Sequence, residues 1–271
     1  MPQLAASGRP KLLLLGDSLT QIAFEGGGWA SSLANRYQRR ADVLNRGMSG
    51  YNSRWYIRYA EDNDVWNEPG NIVLITIFFG ANDAALPDRD PAKHVPIPEY
   101  QENLEMLIDN ATKSYPNAKI LLISPPPVHR EQRLAFQKER YGNKATGIAE
   151  RTSEHASLYA AVCREVAKKK NVPCLDVFTA MLNDVDEGKH TDADDFGRYF
   201  HDGLHFSEIG HTFVYDEITK AIQTNFPNLE VRPCPITGQC NNSSSECDGI
   251  KNSGPYHDEI NLNDWKKAFE S

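Results

Sequence analysis

Lys11-Leu12-Leu13-Leu14-Leu15-Gly16-Asp17-Ser18-Leu19-Thr20 is the stretch on which the fold turns. Four consecutive leucines leave no polar face, so the segment must be covered on both sides. That is the pattern of a strand in a parallel sheet with helices above and below it. Gly16 stops the run, and Asp17 or Ser18 has the chemistry of a helix N-cap. A hydroxyl on such a strand-to-helix step lies at the carboxyl end of the strand, where open α/β sheets hold their ligands. It also faces the unpaired N–H groups that open the next helix.

Outward from this strand the pattern repeats. Apolar runs closed by turn residues lie at 72–79, 119–124 and 172–178, with a weaker one at 42–45. Helical periodicity fills the intervals. Tyr100, Leu104, Leu107, Ile108 and Ala111 share one face of a helix over 99–113. Leu158, Tyr159, Val162, Cys163 and Val166 share the core face of another, from His155 onward. The Lys168-Lys169-Lys170 cluster closes that helix, as cations suit a helix C-terminus. Ser207 is placed to cap a last helix carrying Phe213, Ile218, Ala221 and Ile222. Strand alternating with helix gives βαβ units, hence an α/β sandwich on a parallel sheet.

Two connections are longer than such a fold needs: 84–98, with four prolines, and the polar 125–151 after Pro125-Pro126-Pro127. Each reads equally as part of a binding site or as a solvated insertion. Past Phe226 the composition shifts to Pro, Asn, Ser, Gly and Cys. The expected domain is therefore 1–226, with 227–271 a tail that wraps the surface or stays mobile. Within it, Ile260, Trp265 and Phe269 are spaced for a short amphipathic helix.

The 271 residues carry a formal net charge of −8 and no long Lys/Arg run, which argues against nucleic acid as a partner. The longest apolar run, 72–79, falls far short of the ~20 residues of a membrane span. Only four leucines follow Arg9 and Lys11, too few for a secretion signal, so the expected location is cytoplasmic. Five cysteines are too few for a disulfide framework in a chain of this length. Cys163 and Cys174 read as core residues. Cys234, Cys240 and Cys247 lack the close pairing of a zinc site, so free thiols are expected. The sequence is silent on assembly.

Serine needs a base, and Asp202-Gly203-Leu204-His205 offers one just ahead of a predicted helix. One turn at this spacing lets Asp202 accept from Nδ1–H while Nε2 points away toward the serine. His190, His201 and His211 are alternatives without an acid at that offset followed by a helix start. Donors for a developing oxyanion are available in Gly47-Met48-Ser49-Gly50 and in Gly80-Ala81-Asn82-Asp83, each just after a strand. A plain glycine turn and an Asx-turn are the structural alternatives. Arg54 reads as a surface ion-pair partner rather than a substrate contact.

Together these blocks resemble the GDSL, or SGNH, hydrolases: Gly16-Asp17-Ser18-Leu19, Gly50, Gly80-x-Asn82-Asp83 and Asp202-x-x-His205 occur in the family's order. The resemblance implies a flavodoxin-like three-layer α/β/α sandwich with a five-stranded parallel sheet. It also implies that Ser18 is the nucleophile, His205 the base and Asp202 its orienter, with Ser18, Gly50 and Asn82 as the oxyanion hole. Gly47 is a rival to Gly50, which is preferred because it follows Ser49 as the family pattern requires. Gly26-Gly27-Gly28-Trp29, Ser49-Gly50-Tyr51-Asn52-Ser53-Arg54-Trp55, 78–84 and Ser124-Pro125-Pro126-Pro127 are similar to the isoamyl acetate-hydrolysing branch. The resemblance spans about 11–226 and implies a serine esterase for small acetate-type esters, needing no cofactor and no metal. Carbohydrate O-acetylesterase, lysophospholipase and a non-catalytic small-ligand module are the competing expectations.

Overall fold

The computed structural model describes residues 8–186, 195–231 and Ile250. Five strands, β1 (Lys11–Gly16), β2 (Asp42–Gly47), β3 (Ile72–Phe78), β4 (Lys119–Ile123) and β5 (Cys174–Leu175), form one sheet in the order β2-β1-β3-β4-β5. Every neighbouring pair is parallel. Leu12 to Leu15 are fully buried, as a central strand covered on both faces requires.

The helices are α1 (Ser18–Gln21), α2 (Trp29–Arg36), α3 (Ser53–Asp62), α4 (Ile97–Ser114), α5 (Arg130–Tyr141), α6 (Ser153–Lys170), α7 (Val177–Asp186) and α8 (Glu208–Asn225). α2 packs on α8, while α4 lies against both α3 and α6, and the two groups cover opposite faces of the sheet. This is the three-layer sandwich expected. The faces of α4 and α8 are as read, and the Ser207 hydroxyl caps α8 by accepting from Gly210 N at 3.2 Å. The lysines that end α6 hold α4 by charge, Lys169 on Glu105 and Lys170 on Asp109, both at 2.7 Å.

Three readings change. The run 172–178 yields only a two-residue strand, because Asp176 accepts from Thr179 N and starts α7, which takes Val177 and Phe178. Leu158 was expected on the core face of α6 and is 49% exposed. The polar 125–151 connection contains α5, whose inward residues Arg133 and Gln137 are buried and polar.

Topology brings the site together. The chain moves outward from β1 to β2 and then returns to β3 on the other side of β1. The carboxyl ends of β1 and β3 thus flank the switch point where such sheets leave a crevice. All five strand ends stand in one register row: Gly16 pairs with Gly47 and Phe78, Phe78 with Ile123, and Ile123 with Leu175.

Beyond 226 the chain stays packed as far as Val231, where Tyr37 Oη donates to Leu229 O and Arg36 to Val231 O, each at 2.6 Å. Arg40 donates to the carbonyl of buried Ile250 at 2.7 Å. The amphipathic helix read at 260–269, the three tail cysteines and His190 lie outside the described residues. Among the described residues, no helix is long and apolar enough to cross a membrane.

Candidate active site

Ser18 leaves the end of β1 as the first residue of α1. Asp17 caps that turn, its Oδ1 accepting from Leu19 N at 2.9 Å, so the serine hydroxyl is not spent on capping. Ser18 Oγ lies 3.0 Å from His205 Nε2, and His205 Nδ1 lies 2.8 Å from Asp202 Oδ2. The second carboxylate oxygen of Asp202 accepts from Leu204 N at 2.9 Å and His205 N at 2.7 Å, which closes the turn and aims the ring. Burial by itself would raise the Asp202 carboxyl. The hydrogen bond and charge of His205 and the two backbone N–H groups outweigh it and hold the group well below the usual carboxylate range.

Gly50 sits at φ +80°, a left-handed conformation that suits glycine, and no atom stands within 4 Å of where a Cβ would be. Gly47 is different: a Cβ there would meet Gln21 N at 2.3 Å, so this glycine serves the packing of β2 on α1. Among the described residues, the N–H groups of Ser18 and Gly50 have no protein acceptor. Asn82 Nδ2 donates to Tyr51 O at 2.9 Å and lies 3.4 Å from Asp17 Oδ2, while its Oδ1 accepts from Arg151 at 3.1 Å. Ser18, Gly50, Asn82 and His205 line one cleft of about 670 Å³.

Both long connections reach this cleft, 84–98 through Arg89 and Lys93 and 125–151 through Arg133, Arg140 and Arg151. Reading the sequence missed Arg133, Glu150 and Arg151, whose roles depend on contacts across the fold rather than on any local motif. Of the other histidines, His201 is exposed and stacks on the His205 ring with centroids 5.8 Å apart. His211 is buried, accepts from Trp29 N at 3.4 Å, and is lowered from its ordinary pKa by that burial. Arg54 pairs with Glu99 at 2.7 Å on the surface. His201, Asp202 and His205 bring ligand atoms within 4.8 Å of one another, but Asp202 and His205 already bond each other, so a cation would have to displace that contact.

Beneath the donors lie two fully buried carboxyls. Burial pushes Asp17 up to about 7 and Asp83 up to about 6, against the hydrogen bonds from Leu19 N to Asp17 and from Ser53 to Asp83. The fold favours protonated Asp17, so its contribution to stability is complete below the unfolded pKa. It is lost as pH rises through about 7. Asp17→Asn removes the titration, so the variant's thermal midpoint should gain on the parent's between about pH 4 and pH 7 and hold that gain above. Paired melts across this range check it, and a gap independent of pH would refute it.

A sequence profile of the GDSL-like lipase/acylhydrolase family matches residues 14–213. A GDSL esterase/lipase of Arabidopsis thaliana is 34% identical over 263 residues, 97% of this chain and 98% of that protein. The isoamyl acetate-hydrolyzing esterase 1 homolog of Mus musculus is 40% identical over 220 residues, 78% of this chain and 82% of its own. In three dimensions an acetylxylan esterase from Geobacillus stearothermophilus superposes with a TM-score of 0.58 at 21% identity, covering 80% of this chain and 94% of that one, and so shares the fold. With a profile across most of its length, one esterase aligned nearly end to end and another over more than three quarters of each chain, this chain belongs to the GDSL-like lipase/acylhydrolase family and is an ester hydrolase.

Proposed function

We propose that this esterase hydrolyses small, acetate-type carboxylic esters in two steps through an acyl-enzyme on Ser18, within one catalytic domain over 1–226. Ser18 Oγ attacks the carbonyl carbon as His205 Nε2 takes its proton. The tetrahedral oxyanion accepts from the N–H groups of Ser18 and Gly50 and from the Asn82 amide. His205 then hands the proton to the leaving alcohol, and water repeats the sequence on the acyl-enzyme. Asp202 keeps the ring in the tautomer that can accept from serine. The observation carrying this reading is the 3.0 Å contact of hydroxyl and ring, with the ring's far nitrogen 2.8 Å from a carboxylate.

The acetate preference is supported by the name of the mouse relative, an isoamyl acetate-hydrolyzing esterase homolog. A cytoplasmic location is supported by Cys163 and Cys174, both free thiols, the form a reducing compartment maintains. A fluorophosphonate probe should leave its adduct on Ser18. An ester panel should rank short acetates above acetylated sugars and long-chain acyl esters, and the reverse order would reassign the substrate. Asn82→Ala should slow kcat by about 10²–10³-fold, the usual loss for one oxyanion donor. Unchanged kinetics would remove Asn82 from the scheme.

A further inference from the structure

Resting on that reading of Asn82, we propose that Arg151 is a positioning residue for the oxyanion amide, anchored by Glu150, which Arg133 in turn ties to Asp202. Arg151 is only 3% exposed. Its Nε donates to Ala81 O at 2.7 Å and its Nη2 to Asn82 Oδ1 at 3.1 Å. A guanidinium has donors and no acceptor. The two ends of an asparagine amide have nearly the same shape, so packing alone chooses poorly between them. Turned over, the amide would set its NH2 against the guanidinium and its oxygen against Tyr51 O. Arg151 therefore selects the orientation in which Nδ2, the donor end, lies on the Tyr51 and Asp17 side of the amide, and by gripping Ala81 O it also fixes the backbone that carries Asn82.

Of the two carboxylates at the guanidinium, Glu150 is the near one, and Asp90 Oδ2 stands farther off, 3.8 Å from Nη2. Glu150 Oε1 accepts from Arg151 Nη1 at 2.8 Å and from Arg133 Nε at 2.7 Å, and its other oxygen meets Gln137. Arg133 reaches past it to Asp202 Oδ2 at 3.1 Å. Charge held this deep is a poor way to gain stability alone, since desolvation offsets most of the attraction. As a positioning device it links the donor on one side of the serine to the acid on the other. Lysine would not substitute, because one ammonium cannot form the planar fork to Ala81 O and Asn82 Oδ1.

The test is a cycle of Arg151→Lys, Arg151→Ala and Asn82→Ala, singly and combined, with Glu150→Gln beside them, each checked for a cooperative melt. Arg151→Ala should lower kcat about 10- to 100-fold with KM within about threefold, as expected for a displaced group. Arg151→Lys, which keeps a buried cation, should restore little of it, and Glu150→Gln should lower kcat in the same direction. In the Asn82→Ala background the Arg151 loss should vanish, because the residue acts through that amide. Losses that multiply in the double variant, or a full rescue by lysine, would overturn the inference while leaving the oxyanion reading intact. A neutral Asn82→Ala would remove both together, and an unlabelled Ser18 would remove the acyl-enzyme beneath them.

Discussion

Ser18→Ala is expected to lower kcat by about 10⁶-fold, the loss seen when a nucleophile or its base is removed from such a machine. No other hydroxyl is described against the His205 ring, so the variant has no substitute oxygen to activate. The fold should hardly notice. Among the described residues Ser18 Oγ bonds only His205 Nε2, the cap of α1 belongs to Asp17, and alanine suits a first helical turn. Steady-state rates on a chromogenic acetate, read beside thermal midpoints, separate the two effects. A variant within tenfold of the parent would end the proposed mechanism.

Asp202→Asn should cost about 10⁴-fold in kcat with little change in KM. Asparagine can still accept from Leu204 N and His205 N through one oxygen. Its NH2 then replaces the oxygen that faces Nδ1, and the ring must answer with a lone pair there and a proton on Nε2. In that tautomer Nε2 cannot accept from Ser18. The same NH2 also confronts Arg133, which loses one of its two carboxylates, so the melt should fall as well. Because Asp202 is held well below the ordinary carboxylate range, its own stabilising contribution is present above the unfolded pKa and is lost only in strong acid. Activity within tenfold of the parent would show that Asp202 does not orient the base.

Much of this was legible in the chain, for identifiable reasons. Runs such as 12–15 and 72–79 are almost wholly apolar and stop at glycine, the pattern of a strand covered on both faces. Ser18, Gly50, Asn82, Asp202 and His205 each sit at such a stop or ahead of a capped helix, so their common edge followed from topology. Illegible parts share another cause. Val177 and Phe178 read as strand because a short apolar run has no periodicity to tell helix from strand. Leu158 lies at helical spacing, yet it falls at the edge of the core face and is half exposed. Helix α5 hid because its inward side chains are Arg133 and Gln137, the reverse of the apolar stripe that marks a core helix. What they face is Glu150, a partner named by the fold rather than by the local sequence.

The register row of strand ends also constrains when the enzyme becomes active. Ser18 and His205 are separated by 187 positions, so a growing polypeptide carries its hydroxyl through most of synthesis before any base exists for it. Contacts of such span form late, after the local hairpins of strand and helix have assembled around β1. Chains that stop short of His205, or in which this long-range contact has come apart, thus lack the base that activates Ser18, and turnover reports on assembly from β1 as far as His205.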